Sequence, residues 1–297
     1  MSKRGFTVLA LLSMLAGCGG NPFVNQEDPG ADGGTPDTTP GSVYGDDLND
    51  DLVMNSMVYD PDGNVIVVNN IPFDGATAAN GQAEYEQTGT LPGDFGRYEN
   101  VAGANRYFAV FRRSGTGAVE AGAFGTTAFV DFGLGGAAAK RLATSVSLPN
   151  SGEYTFTGEY AAIRIFDSAS GINTPQYVTG AAEIDIDFGD FDGIGAILGT
   201  VSGRQVYDSA GAPLGVMDDY ISLALGNVDR SNGTIDGGGA SLRETSTGSI
   251  IASGDWSGVI GGTNGTELAG IVVLEGAVDD AGGTGNMRET GVIIAAR

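Results

Sequence analysis

Glu183-Ile184-Asp185-Ile186-Asp187-Phe188 alternates strictly between acidic and apolar side chains. A strand turns successive side chains to opposite faces, so Ile184, Ile186 and Phe188 share one face and Glu183, Asp185 and Asp187 the other. Such a strand is packed on one side and wet on the other. Around it the same grammar repeats. Strands are expected near 152–166, 176–188, 192–205, 217–227, 233–243, 248–260, 267–275 and 288–297, with Gly, Asn, Asp and Ser in the gaps. Eight strands closed on themselves make a barrel just wide enough for side chains to fill, and closure removes sticky edges. Gly180, Gly254, Gly258 and Gly270 fall inside these strands, where they permit bends and close approach. The fold class is therefore all-β, with an eight-stranded antiparallel barrel over 147–297.

Upstream, 49–146 is a smaller β-rich segment. Asp60-Pro61-Asp62-Gly63-Asn64 reads as a turn before Val65-Ile66-Val67-Val68, giving a hairpin arm. Its aspartates are read as turn residues, because the other ligands of a calcium loop are missing. Tyr107-Phe108-Ala109-Val110-Phe111 and Thr127-Ala128-Phe129-Val130-Asp131-Phe132 look like strands. Arg112-Arg113 is expected to pair with local carboxylates, or else to mark a contact surface.

A membrane-spanning barrel would need a lipid-facing apolar band with aromatic girdles. The acidic face of 183–188 opposes it. A calcium-bound β-helix would need tandem glycine–aspartate repeats, and Asp236-Gly237-Gly238-Gly239 and Gly189-Asp190-Phe191-Asp192-Gly193 stand isolated.

The chain has no histidine and one cysteine, Cys18. That removes Ser-His-Asp and Cys-His catalysis, most zinc sites and His-ligated haem. The serines have no Ser-x-x-Lys partner. Carboxylate pairs such as Asp185/Asp187 and Asp190/Asp192 are the remaining acid–base candidates, but Asp185 and Asp187 belong to a solvated face. No nucleophile–base pair can be named, so the chain is read as a non-enzyme with no cofactor.

Cys18 closes Leu15-Ala16-Gly17-Cys18, preceded by Lys3, Arg4 and the short apolar run Phe6–Leu12. The segment resembles a bacterial lipobox: a basic start, a short apolar run and a small-residue cleavage site. It is too short to span a bilayer, which takes roughly 20 residues. The expectation is a signal peptide over 1–17, cleavage between Gly17 and Cys18, and lipidation of Cys18, palmitate included, as the link to the membrane. Residues 18–48 then form a flexible tether poor in large apolar side chains. Gly19 follows the cysteine and no aspartate does, which resembles lipoproteins sorted to the outer membrane. The formal charge is −23, and loss of Lys3 and Arg4 makes it −25. That surface repels nucleic acid and anionic membrane, and admits basic proteins, cationic ligands and divalent ions.

Several segments resemble transferrin-binding-protein-like (factor-H-binding-protein-like) bacterial surface lipoproteins. Gly262-Thr263-Asn264-Gly265-Thr266-Glu267-Leu268-Ala269-Gly270 followed by Ile271-Val272-Val273-Leu274 is similar to that family's penultimate strand, with Thr263 where a proline often stands. Gly291-Val292-Ile293-Ile294-Ala295-Ala296-Arg297 is similar to its last strand. Gly152–Tyr160 is similar to its opening barrel strand, and Asp255-Trp256-Ser257-Gly258 to its aromatic-x-Gly strands. The resemblance covers 150–297 and implies a single lobe, where transferrin receptors proper carry two. Residues 49–146 would correspond to the family's handle.

The resemblance implies a lipoprotein displayed on the cell surface that captures an extracellular iron or haem carrier, or another protein, through barrel and handle loops. It further implies a surface-export translocon and a TonB-dependent receptor as partners. Haem would need tyrosine or methionine as ligand. The alternative is an envelope structural or adhesive lipoprotein without a small ligand. Ligand contact is expected from loops near 168–175, 206–216, 229–233, 244–247, 261–266 and 276–287, half of them at one end of the barrel.

Overall fold

The computed structural model describes residues 37, 39–69, 82–100, 105–191 and 194–297. The described strands form two antiparallel sheets. The first holds β1 (Ser42–Tyr44), β2 (Met57–Asp60), β3 (Val65–Asn69), β4 (Gln82–Thr90), β5 (Gly96–Asn100), β6 (Phe108–Arg113), β7 (Val119–Gly125) and β8 (Gly136–Arg141). Its order is β1-β8-β7-β6-β5-β4-β3-β2, a curled half-barrel. The second holds β9 (Glu153–Phe166), β10 (Gln176–Phe191), β11 (Ile194–Tyr207), β12 (Pro213–Val216), β13 (Asp219–Asp229), β14 (Thr234–Glu244), β15 (Ile250–Gly261), β16 (Glu267–Asp280) and β17 (Gly283–Ala296). Pairing of β10 with β11 closes its eight long strands into a barrel, with β12 a short annex on β11.

The eight expected barrel strands are all present. Ile184, Ile186 and Phe188 point into the barrel core, and Glu183, Asp185 and Asp187 into solvent. The interior is filled with apolar side chains around Trp256, whose indole N–H donates to the Ala224 carbonyl at 3.1 Å. A packed interior and an acidic outer strand are the reverse of a lipid-facing barrel. Among the described residues no helix is long and apolar enough to cross a membrane. A Cβ on Gly254 would run into the Val273 carbonyl of the neighbouring strand, so this strand position needs glycine.

The barrel's second apolar face lies outside. Ala161, Ile163 and Ile165 of β9, Ala269 and Ile271 of β16, and Val292 and Ile294 of β17 are buried under Val119, Ala121 and Ala123 of β7 and Ala137 and Ala139 of β8. Small side chains on the covering strands let two sheets approach closely. The first sheet's other face closes over its own core, with Met57, Tyr85, Tyr98, Phe111 and Phe124.

Three expectations change. Thr127–Phe132 is not a strand: it is a run of bends and turns, with Asp131 at φ 57°. The strands lie on either side, in the Ala- and Gly-rich β7 and β8, because packing against the barrel overrides their weak β-propensity. Residues 276–287 are mostly ladder: Ala277 pairs with Asn286 and Asp280 with Gly283, leaving Ala281 and Gly282 to turn. The chain joins the first sheet at Ser42–Tyr44, inside the stretch that composition reads as tether, because Val43 and Tyr44 pair with Ala139 and Ala138.

Candidate functional site at one barrel mouth

Four connections crowd one end of the barrel: 167–175, 208–218, 245–249 and 281–282. Inward positions just beneath them are charged. Arg164 near the end of β9, Arg204 near the end of β11 and Glu289 midway along β17 are all fully buried. Glu289 Oε2 accepts from Arg164 Nε at 3.1 Å and Nη2 at 3.0 Å, and from Arg204 Nη2 at 2.6 Å. Tyr160 Oη donates to Glu289 Oε1 at 2.7 Å. Each arginine also reaches outward: Arg164 Nη1 to Asp280 Oδ2 at 2.7 Å, and Arg204 Nη1 to Asp219. A side chain at Gly291 would strike the Tyr160 ring, so glycine there leaves room for the hydroxyl to reach Glu289.

Burial alone would raise the Glu289 carboxyl, but Arg204, Arg164 and the Tyr160 hydroxyl outweigh it and hold the group below the ordinary carboxylate value. Asp219 goes the other way: burial, aided by the Glu289 charge, outweighs Arg204 and raises it. Tyr160 is raised well above its usual value by burial and the adjacent Glu289. The network is a closed plug. It lies between the apolar core of the barrel and the mouth.

Above the plug is an open cleft of about 710 Å³. Val216, Met217, Ile251 and Val278 supply apolar surface, and Asp218, Asp219, Glu244, Asp279 and Asp280 supply five carboxylates. Asp218 and Asp279 are exposed. Asp279 accepts from Thr284 Oγ1 at 2.6 Å, and Asp280 Oδ1 accepts from the Gly282 N–H at 2.7 Å. These carboxylates are spread round a rim. Among the described residues no group of three or more His, Cys, Asp or Glu could hold a metal ion. Met217 turns its sulfur toward Arg164 Nη2 at 3.9 Å and Tyr160 is held by Glu289, so neither is presented to a haem.

Of the residues singled out in the sequence, Gly17 and Cys18 lie outside the described residues, as does Asp192. Asp60 and Asp62 form a plain turn, with the Asp62 N–H on Asp60 Oδ1 at 2.9 Å and Asn64 at φ 51°. Arg113 pairs with Glu120 at 2.6 Å, as expected for one of the two arginines. Arg112 instead lies over the Phe95 ring. On the barrel flank Asp185 is exposed and Asp187 half-buried, Asp185 accepting from Thr155 Oγ1 at 2.6 Å and Asp187 from the Gly189 N–H at 2.7 Å. Four of the six nominated loops, rather than half, fall at the mouth just described. Arg164, Arg204 and Glu289 were missed, although alternation alone marks them: each is a charge at an inward position.

No protein-family model matches the chain, and no curated protein matches it. Among solved structures it is similar to a Transferrin Binding Protein B double mutant from Haemophilus parasuis Hp5, with TM-score 0.36 and 14% identity over 72% of this chain and 38% of that one. It is similar to a structure described as a surface lipoprotein, with TM-score 0.36 and 13% identity over 63% of this chain and 79% of that one. A third is intact transferrin-binding protein B with both lobes, at TM-score 0.35 and 12% identity, of which this chain covers 39%.

Proposed function

We propose that the chain is a lipid-anchored binding protein of the outer membrane, facing outward, that captures an extracellular protein through the barrel mouth and neighbouring loops. Residues 1–17 are its signal peptide, Cys18 carries the lipid, and the stretch up to the first strand is the tether. A surface-export translocon would carry it out, and a TonB-dependent receptor would receive what it captures.

One observation carries the binding reading: the mouth sets five carboxylates around an apolar floor. The barrel interior is filled with apolar side chains, so the ligand sits on the rim. The charge there suits lysine and arginine on a protein surface, with aliphatic stems on Val216, Ile251 and Val278. It opposes haem, whose propionates are anionic.

The test uses the full chain against a peptide carrying alternating lysine and leucine. Binding is expected to weaken at least tenfold between low and high salt, and to weaken about tenfold in the Asp218→Asn/Glu244→Gln/Asp279→Asn variant. Equal binding by variant and wild type would overturn the mouth assignment. For the anchor and orientation, protease shaving of intact cells should remove the barrel, and Cys18→Ala should release the protein from the membrane. A barrel protected from protease would place it in the periplasm.

A further inference from the structure

The first sheet covers the barrel along a seam at β9, β16 and β17. Elsewhere on the outside of the barrel, an open groove of about 550 Å³ crosses the start of β9, the second half of β10, the start of β11 and β13. Two rows of outward side chains build it. Thr155, Asp185 and Leu198 pair across β9, β10 and β11, and Glu153, Asp187 and Ala196 pair in the row beside them. Neighbouring strands lie about 4.8 Å apart, so each row sets a carboxylate one strand away from an apolar side chain. β13 then breaks register: Ile197 pairs with Gly226 but Gly199 with Leu223, so Ala224 and Leu225 stand opposite Leu198 alone. Such a bulge re-aims a side chain. Inside the barrel it is pinned, because the Ala224 carbonyl accepts the Trp256 indole N–H at 3.1 Å. Outside, it sets Leu225 beside Leu198, at 57% and 45% exposure.

A single exposed leucine needs no explanation. Here two stand side by side through a pinned bulge, with Glu153, Asp185 and Asp187 along one side. Among the described residues no lysine or arginine lines the groove. An apolar patch with a rim of one charge is the form of a docking surface. We infer that this flank is a second protein-binding surface. It takes aliphatic side chains of the partner on Leu198 and Leu225, and lysine or arginine side chains on the three carboxylates. Charge decides the occupant: a second copy of this chain, at formal charge −23, would set carboxylate against carboxylate. The groove lies toward the end of the barrel opposite the mouth, so one partner can hold the flank while another fills the mouth.

Calorimetry on the full chain, with the lysine–leucine peptide as probe, tests it. Wild type is expected to take two peptides. The Asp218→Asn/Glu244→Gln/Asp279→Asn variant should keep the flank site. Adding Leu198→Thr/Leu225→Thr to that variant should weaken the remaining binding about tenfold. Both leucines are exposed, so Tm should hold. Adding Glu153→Gln/Asp185→Asn instead should flatten the salt dependence of the remaining binding. Remaining binding that ignores both pairs of substitutions would overturn the inference. So would a wild-type chain that sediments as a dimer while Leu198→Thr/Leu225→Thr sediments as a monomer, because the occupant would then be a second copy. If instead the mouth variant binds as wild type does and the leucine substitutions alone abolish binding, the flank stands and the mouth reading fails.

Discussion

Arg204 and Glu289 meet as a fully buried ion pair inside the barrel, 85 residues apart in sequence and on strands that are not neighbours. Arg164 completes the pair from a third strand. Three strands thus depend on one carboxylate. Removing one member of a buried ionic cluster costs about 3–5 kcal/mol, because the remaining charges keep their burial and lose their partner. Glu289→Gln is therefore expected to destabilise the protein by about 3–5 kcal/mol in urea denaturation. A loss under about 1 kcal/mol would show the two guanidiniums to be solvated.

Strong acid should loosen the contact between Asp37 and Lys140. Burial alone would raise its carboxyl, but the Lys140 ammonium and the Thr39 donors outweigh burial and hold it at about 2, below the ordinary 3.8. A depressed folded-state value means stability that is present above the unfolded value and lost as pH falls through the folded one. The contribution should fade between pH 4 and 2. Asp37→Asn should be less stable than wild type at pH 6, and the difference should shrink toward zero at pH 2. A difference that stays constant across that range would remove the Lys140 pairing from the explanation.

The barrel was legible because its strands alternate and its turns carry Gly, Asn and Asp at regular spacing; 183–188 alone separates inside from outside. The first sheet was less legible. In β7 and β8 the pattern is not alternation but smallness, since both faces are buried and one must sit against another sheet. A window rule instead selects Thr127–Phe132, where aromatic and β-branched residues cluster in bends. The plug at Arg164, Arg204 and Glu289 was written in the alternation but goes unread when apolar residues alone are counted. Four loops of the mouth were legible from the turn residues, but its ring of carboxylates was not. Asp219 and Glu244 stand opposite each other on β13 and β14, but Asp280 of β16 joins them only through the curl of the whole sheet, which no local pattern encodes.

That contrast has a measurable form. Ala121 is fully buried between the two sheets, whereas Val130 is 77% exposed. Extra methylenes in a packed interface cost about 1–3 kcal/mol. Ala121→Leu should cost that much, while Val130→Ser should stay within about 0.5 kcal/mol of wild type. If the two variants were equally stable, the seam would be loosely packed and the small residues of β7 would have another cause.

The same seam decides how the molecule unfolds. The apolar outer faces of β9, β16 and β17 have no other cover than the first sheet among the described residues, so separating the units exposes a continuous apolar surface. Loss of either unit should therefore bring down the other. Trp256, the sole tryptophan, reports on the barrel alone: it is 1% exposed, inside the core, with its N–H held by Ala224. Far-ultraviolet circular dichroism reports on both sheets. The two signals should give one coincident urea midpoint, the sign of a single cooperative transition. If ellipticity fell at lower urea than the Trp256 fluorescence shift, the first sheet would be melting from a barrel stable without it. The buried alanines would then mark a docking face between independent units rather than a shared core.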